Sequence, residues 1–165
     1  MVSKGGGIMN QEIEIELLSK ALDLLYGNDQ YLISNEASQY VGERCIAHKL
    51  GGYLSNLISE YDVDCEFNRD LDTVKKMGGH KIIPDIIIHK RGNNDDNLIV
   101  IEVKPWWNDK REGFINDEKK LKYLTNCNNQ YRYKYGLSLI INQYREDAKV
   151  KIFIDGKTDN IYHKV

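Results

Sequence analysis

Apolar residues that recur every three or four positions predict two helices in the N-terminal part of the chain. The first helix is predicted over 11–26 and is expected to end at the Gly27-Asn28 pair. The second is predicted over 35–59. The first helix carries no residue pattern typical of a reaction, so we interpret it as a packing element or a surface for a partner.

Two glutamates lie on the apolar face of the second predicted helix. Ser34 or Asn35 is its expected N-cap, so Glu36 lies near the N-terminus, where the helix dipole explains a carboxylate. Glu43 falls in the middle of the predicted helix, where a carboxylate on an apolar face needs a partner. We expect Glu43 to belong to a functional site, and a salt bridge to a neighbouring Arg or Lys is the alternative.

Alternating or continuous apolar runs predict strands after the second helix. The strands are predicted over 61–68, 82–89, 98–104, 133–143 and 150–155. The turn-forming residues from Gly92 to Asn97 predict an antiparallel hairpin between the second and third of these strands. Residues 71–81 form a polar, glycine-containing connection that we expect to be mobile. Asn116 or Asp117 is predicted to cap a third helix that continues to about Asn126.

The order of these elements is helix, helix, three strands, helix, two strands. A hairpin followed by a helical crossover implies both antiparallel and parallel neighbours in one sheet. We therefore expect an α/β fold with a mixed sheet that is flanked by helices.

Three ionisable residues lie within the two apolar runs of the hairpin: Asp85, Glu102 and Lys104. Burying them costs free energy unless they share a partner. Glu102 and Lys104 are two positions apart and share one face, and Asp85 joins them if the register allows. Two carboxylates with a main-chain carbonyl suit Mg²⁺ or Mn²⁺. A lysine beside such a cation can position water or stabilise charge on a phosphodiester.

In this setting the chain resembles the PD-(D/E)XK nuclease superfamily, through Pro84-Asp85 on one strand and Glu102-Val103-Lys104 on the next. The resemblance covers roughly 35–155 and implies a restriction-endonuclease-like α-β-β-β-α-β core, with an extra N-terminal helix here. It implies that Asp85, Glu102, the Val103 carbonyl and Glu43 hold the metal ion. It also implies that Lys104 is the catalytic lysine.

Other residues are expected to assist this site. The accessory candidates are Glu66 on the polar face of its strand, Asp117 and Lys120 on the following helix, and His89, for which a structural histidine is the alternative. The candidate nucleic-acid contacts are Arg44, His48, Arg69 and Lys90, with solvated surface charges as the alternative. Trp106 and Trp107 are candidates for stacking on bases, although packing in the core or at a dimer interface is the favoured interpretation.

The composition sets limits on this interpretation. A chain of 165 residues with 41% hydrophobic and 29% charged residues is typical of one globular domain. A net charge of −2 gives no global support for nucleic-acid binding, so DNA as substrate depends on the resemblance. No apolar run has the length of a membrane span, and three widely spaced cysteines predict reduced thiols in a cytoplasmic protein. We interpret 1–8 as an added leader and 9–165 as the nuclease-like domain.

The expected function is hydrolysis of phosphodiester bonds in DNA by a metal-dependent nuclease, with RNA as the weaker alternative. Phage, mobile-element or defence settings are the expected context. The alternative is a catalytically inactive nuclease-fold protein that binds nucleic acid or another protein. A structural ion pair between Glu102 and Lys104 is a further alternative. Besides DNA, the candidate partners are a second copy of the chain and a partner protein that supplies specificity.

Overall fold

The computed structural model describes residues 6–34 and 40–165. Its helices are α1 (Gly6–Asp29), α2 (Glu43–Leu57) and α3 (Arg111–Thr125), with short 3-10 turns at Gln30–Leu32 and Arg145–Asp147. The first five strands are β1 (Asp62–Cys65), β2 (Arg69–Asp70), β3 (Thr73–Val74), β4 (Lys76–Met77) and β5 (His80–Lys81). The others are β6 (Ile86–His89), β7 (Ile99–Pro105), β8 (Tyr135–Ile141), β9 (Lys149–Phe153) and β10 (His163–Lys164). No helix in these ranges is long and apolar enough to cross a membrane.

The main sheet is mixed and six-stranded, in the order β1-β6-β7-β8-β9-β10. Strands β7 and β8 run parallel, because α3 returns the chain to the same end of the sheet, and the other neighbours are antiparallel. The α/β class and the mixed sheet flanked by helices are confirmed. The predicted hairpin is also confirmed, since Ile86 pairs with Ile101 across β6 and β7.

Helices cover both faces of the sheet and create two apolar layers. Ile86, Ile88 and Ile101 face the layer formed with α1 and α2. Ile87 and Val100 face the layer formed with α3. Strands β6 and β7 are therefore buried at every position, which explains why their sequences are nearly continuous apolar runs.

The second helix begins at Glu43 rather than near residue 35, and Gly42 is its N-cap. The predicted N-cap residue Asn35 and Glu36 lie outside the described residues. Tyr40, which the helical pattern places on the inward face, instead precedes the helix and stacks on Trp107 with ring centroids 4.6 Å apart. Glu43 therefore lies in the first turn of the helix and not in its middle.

The other two helices, in contrast, are longer than the pattern predicts. Helix α1 continues past the Gly27-Asn28 pair to Asp29, whose carboxylate accepts a hydrogen bond from the Tyr53 hydroxyl at 2.5 Å. Helix α3 begins at Arg111, so Asp117 lies inside the helix and is not its cap. The Tyr53 hydrogen bond, which local spacing does not reveal, stabilises the last turn of α1.

The polar connection over 71–81, for which the sequence predicts no strands, belongs to two small antiparallel ribbons. Arg69 pairs with Val74 in the first ribbon, and Lys76 pairs with Lys81 in the second. Gly78 and Gly79 adopt φ values of 56° and 82° at the turn of the second ribbon. Glycine adopts this left-handed conformation without steric cost, which permits the tight turn.

Candidate functional site

The register of the hairpin brings Asp85 and Glu102 to one end of the sheet. Ile86 pairs with Ile101, so Asp85 lies opposite Glu102 at the next position. Directly opposed residues of an antiparallel pair project to the same face. Asp85 Oδ2 accepts a hydrogen bond from the Val103 N–H at 2.8 Å, which ties the start of β6 to β7.

Helix α3 supplies two charged partners to this face. Asp117 and Lys120 are three positions apart and therefore project from one side of the helix. Lys120 Nζ lies 2.6 Å from Glu102 Oε2, and Lys104 Nζ lies 2.7 Å from Asp117 Oδ2. Asp117 Oδ1 is also 3.5 Å from Lys120 Nζ, so the two strand residues and the two helix residues form one connected cluster.

Glu43 joins this cluster from the opposite side of the sheet. Its Oε1 lies 2.9 Å from Lys104 Nζ, and its Oε2 accepts a hydrogen bond from Asn108 Nδ2 at 2.8 Å. Its place in the first turn of α2 also favours a carboxylate through the helix dipole. Sequence patterns do not single out Asn108, because it lies in the loop between β7 and α3 and its role depends only on the packing of α2.

Burial and charge perturb the acids of the cluster. Glu102 is 2% exposed, and burial raises its pKa well above the usual value; Lys120 opposes this shift, while Asp85 and Asp117 add to it. Burial also raises the pKa of Asp85, against the hydrogen bond from Val103 N–H. Glu102 Oε1 is buried without a hydrogen-bond partner. This oxygen is therefore a lone-pair donor with an unfilled position.

The pKa values of the lysines in the cluster are raised as well, which favours the charged form of a lysine. Burial lowers the pKa of Lys104, but hydrogen bonds to Asp117 and Glu43 outweigh burial and raise it overall. Burial is also the largest single influence on the pKa of Lys120, but the attraction and hydrogen bond of Glu102 and the attraction of Asp117 and Asp85 together outweigh it and raise the pKa. Both ammonium groups therefore stay charged at neutral pH and act as hydrogen-bond donors rather than as bases.

The cluster is not electrically balanced. It contains the carboxyl groups of Glu43, Asp85, Glu102 and Asp117 and the ammonium groups of Lys104 and Lys120. Four carboxylates and two ammonium groups leave two negative charges in excess when all are ionised. Excess negative charge in a largely buried region costs free energy unless some of the carboxylates bind protons or a cation lies among them.

Two accessory candidates lie away from this cluster. Glu66 has φ 51°, which ends β1 and turns the carboxylate toward α2, where it lies 2.8 Å from Arg44 Nε. The prediction that Glu66 lies on the acidic face of its strand is therefore wrong. His89, at the far end of β6, lies 2.9 Å from Asp64 Oδ2 and is 3% exposed, as expected for a structural histidine.

The candidate nucleic-acid contacts are dispersed. Arg44 and His48 lie on the exposed side of α2 and both approach Glu66. Lys90 follows β6 at the end opposite Asp85 and lies over the Tyr61 ring, 5.5 Å from its centroid. Arg69 borders a separate cavity.

The two adjacent tryptophans pack against other parts of the protein. Trp106 donates a hydrogen bond from Nε1 to the Ile33 carbonyl at 3.1 Å, and both rings contact Tyr40. Both side chains also pack against the apolar layer of α1 and α2. These contacts favour the packing interpretation over base stacking.

Within residues 6–34 and 40–165, no group of three or more His, Cys, Asp or Glu side chains is arranged to hold a metal ion. Glu43, Glu102 and Asp117 contact the lysines instead, and Asp85 contacts the Val103 N–H. Comparisons with protein-family models, curated proteins and solved structures find no match. Function must therefore be argued from the chemistry of the cluster itself.

Proposed function

We propose that this protein is a metal-dependent nuclease that hydrolyses phosphodiester bonds in DNA. The observation that carries the proposal is the excess of two carboxylates over ammonium groups in the buried cluster at Asp85, Glu102 and Lys104. The order α2, β1, β6, β7, α3, β8 supports it, because the PD-(D/E)XK resemblance implies the same succession of elements.

The residues present fit a divalent cation such as Mg²⁺ or Mn²⁺. Asp85 and Glu102 face the same side, and the buried Glu102 Oε1 has a free lone pair. The N–H and C=O of one strand residue point to the same side, so the Val103 carbonyl lies on the Asp85 side with its N–H. Glu43 adds a carboxylate from α2. A bound cation of this kind neutralises phosphate charge and lowers the pKa of a water.

The lysines have separate roles in this proposal. Glu43 and Asp117 hold Lys104 between them, so its ammonium is fixed and charged, ready to donate hydrogen bonds to a phosphate oxygen or to the attacking water. Lys120 occupies Glu102 Oε2, and it has Asp117 as a second partner when Glu102 turns toward a metal. Lys104 is a catalytic residue here, and Lys120 is a positioning residue.

A second candidate function follows from the same ion pairs. Each lysine already contacts carboxylates, so a self-contained structural cluster in a non-catalytic binding module is the competing interpretation. That interpretation needs protons on the carboxylates in excess, and a proton would leave the buried Glu102 Oε1 still without a hydrogen-bond partner. A cation would fill this position, and we therefore favour the nuclease.

The test is cleavage of linear, nicked and single-stranded DNA, and of RNA, with Mg²⁺, Mn²⁺ or EDTA. We expect cleavage of DNA with either metal and none with EDTA. Asp85→Asn and Glu102→Gln should each lower the rate by about a thousandfold or more, and Lys104→Met by about a hundredfold or more. Glu112→Gln, on the exposed first turn of α3, is the matched control and should keep full activity.

Cleavage that persists in EDTA or in the folded Asp85→Asn variant would contradict the proposal. If the wild-type protein binds DNA but cuts no substrate with either metal, the non-catalytic module is favoured. Circular dichroism of each variant separates loss of chemistry from loss of fold.

A further inference from the structure

A second polar region lies at the opposite end of β6 from Asp85. It is a cavity of about 570 Å³ between the β2–β3 ribbon, the end of β6 and the following turn. Small-molecule sites in proteins have volumes of this order. Phe67 and His89 form an aromatic part of its wall, with ring centroids 4.8 Å apart. No residue of the proposed nuclease cluster lines it.

The cavity contains a buried lysine without an acidic partner. Lys75 is 2% exposed, donates a hydrogen bond to the Arg69 carbonyl, and lies 4.8 Å from the centroid of the Phe67 ring. Among the described residues it forms no ion pair with a carboxylate; Asp70 and Asp64 act on it only from a distance. An ammonium group has three donors, so Lys75 retains hydrogen-bonding capacity toward the cavity.

Two guanidinium groups border the same cavity. The Arg69 side chain is exposed, and in the part of the chain that the structure describes it has no hydrogen-bond or ion-pair partner. The second is that of Arg91, which donates hydrogen bonds from Nε and Nη2 to the Asp64 carboxylate at 2.8 and 2.5 Å. The Asp64 carboxylate is therefore already bound by Arg91. Asp72 is the acidic residue in the lining of the cavity.

Lysines are almost never fully buried unless they are paired. A buried, unpaired ammonium group beside a free guanidinium is instead typical of a site whose counter-ion comes from a ligand. We infer that this cavity binds a small organic molecule through an oxyanion, either a phosphate monoester or a carboxylate, held between Lys75 and Arg69 and resting against Phe67 and His89. This inference does not depend on the proposed nuclease function.

Calorimetric titration in EDTA tests the inference without any contribution from a metal site. The probes are inorganic phosphate, a nucleoside 5′-monophosphate and benzoate. We expect one equivalent of at least one probe to bind, and Lys75→Met to weaken binding by about tenfold or more. Arg69→Gln should weaken it severalfold. Lys76→Met removes the neighbouring exposed lysine and should leave the affinity unchanged.

Tighter binding of the phosphates assigns the oxyanion as a phosphate monoester, and tighter binding of benzoate assigns it as a carboxylate. No binding of any probe up to about 10 mM, or equal affinity in wild type and Lys75→Met, overturns the inference. If Lys75→Met does not fold, Arg69→Gln and the ring resonances of Phe67 and His89 decide instead. Unchanged affinity in that variant and unshifted resonances in the titrated wild type also overturn it.

Discussion

Lys104 and Lys75 are both buried lysines, yet their surroundings differ. Lys104 is 8% exposed and lies within 2.9 Å of Glu43 and 2.7 Å of Asp117. Lys75 is 2% exposed and contacts a carbonyl and an aromatic ring. The pKa of Lys104 is raised, whereas burial lowers the pKa of Lys75 to about 8.

The comparison shows that partners, more than depth of burial, govern the state of a buried charge. At Lys104 two carboxylates compensate the loss of hydration, so the ammonium stabilises the acids around it. At Lys75 only neutral groups are in contact, so burial remains uncompensated. The first region carries excess negative charge and suits a cation, whereas in the second the buried ammonium group contacts no carboxylate and suits an anion.

The strongest test of this contrast is Lys104→Met. Removing the ammonium leaves Glu43 and Asp117 without their shared partner, and we expect the free energy of unfolding to fall by about 3 kcal/mol. Urea denaturation measures the change. Lys104→Arg keeps the charge and should lose much less. If Lys104→Met is as stable as wild type, these carboxylates do not depend on the lysine and the comparison fails.

The Lys120→Met variant tests the comparison of the two lysine regions at the proposed metal ligands. Its expected result depends on the proposed function. Lys120 Nζ lies 2.6 Å from Glu102 Oε2, so the ammonium competes with a cation for that oxygen. Its removal should raise the affinity for Mn²⁺ by about tenfold in calorimetric titration. Lys119→Met, on the exposed side of α3, is the control. Weaker binding in Lys120→Met would show that Lys120 supports the metal rather than competing with it.

Asp64→Asn tests whether the Asp64 carboxylate stabilises Arg91 and His89 rather than Lys75. The Arg91 hydrogen bonds, followed by the one from His89, lower the pKa of Asp64. A lowered folded-state pKa gives stability that is present above the ordinary pKa of about 4 and is lost as pH falls through the folded-state value. We expect the variant to lose about 1 kcal/mol at pH 7 and to match wild type near pH 2.

Denaturation curves across this pH range provide the measurement. A loss of stability that is the same at every pH would exclude the carboxylate charge as its cause. Asp95→Asn, whose side chain is exposed and contacts Arg132, is the control and should change little at any pH.

The smallest expected effect is that of Lys75→Met on the ligand-free protein. Because the ammonium is buried without a carboxylate, replacing it with an apolar side chain of similar length should keep the free energy of unfolding or raise it by about 1 kcal/mol. Lys76→Met is again the control in urea denaturation. A loss as large as that expected for Lys104→Met would show that the two lysines are equivalent after all.

Local patterns predict the hairpin and the shared face of its charged residues. The two-residue period of a strand places Glu102 and Lys104 on one side, and the turn from Gly92 to Asn97 predicts the antiparallel pairing that adds Asp85. The shared face depends on residues that are close in sequence, and the antiparallel pairing depends on one short turn. The same period fails at Glu66, because a single left-handed residue reorients the side chain.

Contacts between distant elements are less visible in the sequence. The sequence indicates Glu43 as a site residue because it lies on the apolar face of a predicted helix that begins near residue 35. The observed α2 begins at Glu43 itself, so no helical turn precedes this residue. Asn108 carries no pattern, and it contributes only because the loop after β7 approaches the first turn of α2. The positions of Asp117 and Lys120 on α3 are correctly associated with the strands, whereas the contacts that pair each with a lysine or a carboxylate need the packed structure.

The sequence alone determined the α/β class, the antiparallel hairpin and the position of three ionisable groups on its buried strands, since these depend on periodicity and turn chemistry. Only the tertiary structure decided which charges meet. It placed Lys104 between acids from two helices and Lys75 in a cavity without an acidic contact, although both are buried lysines. Hydrophobic patterns specify which face of a strand is buried, but the partner of a buried charge is set by register and by the packing of distant elements.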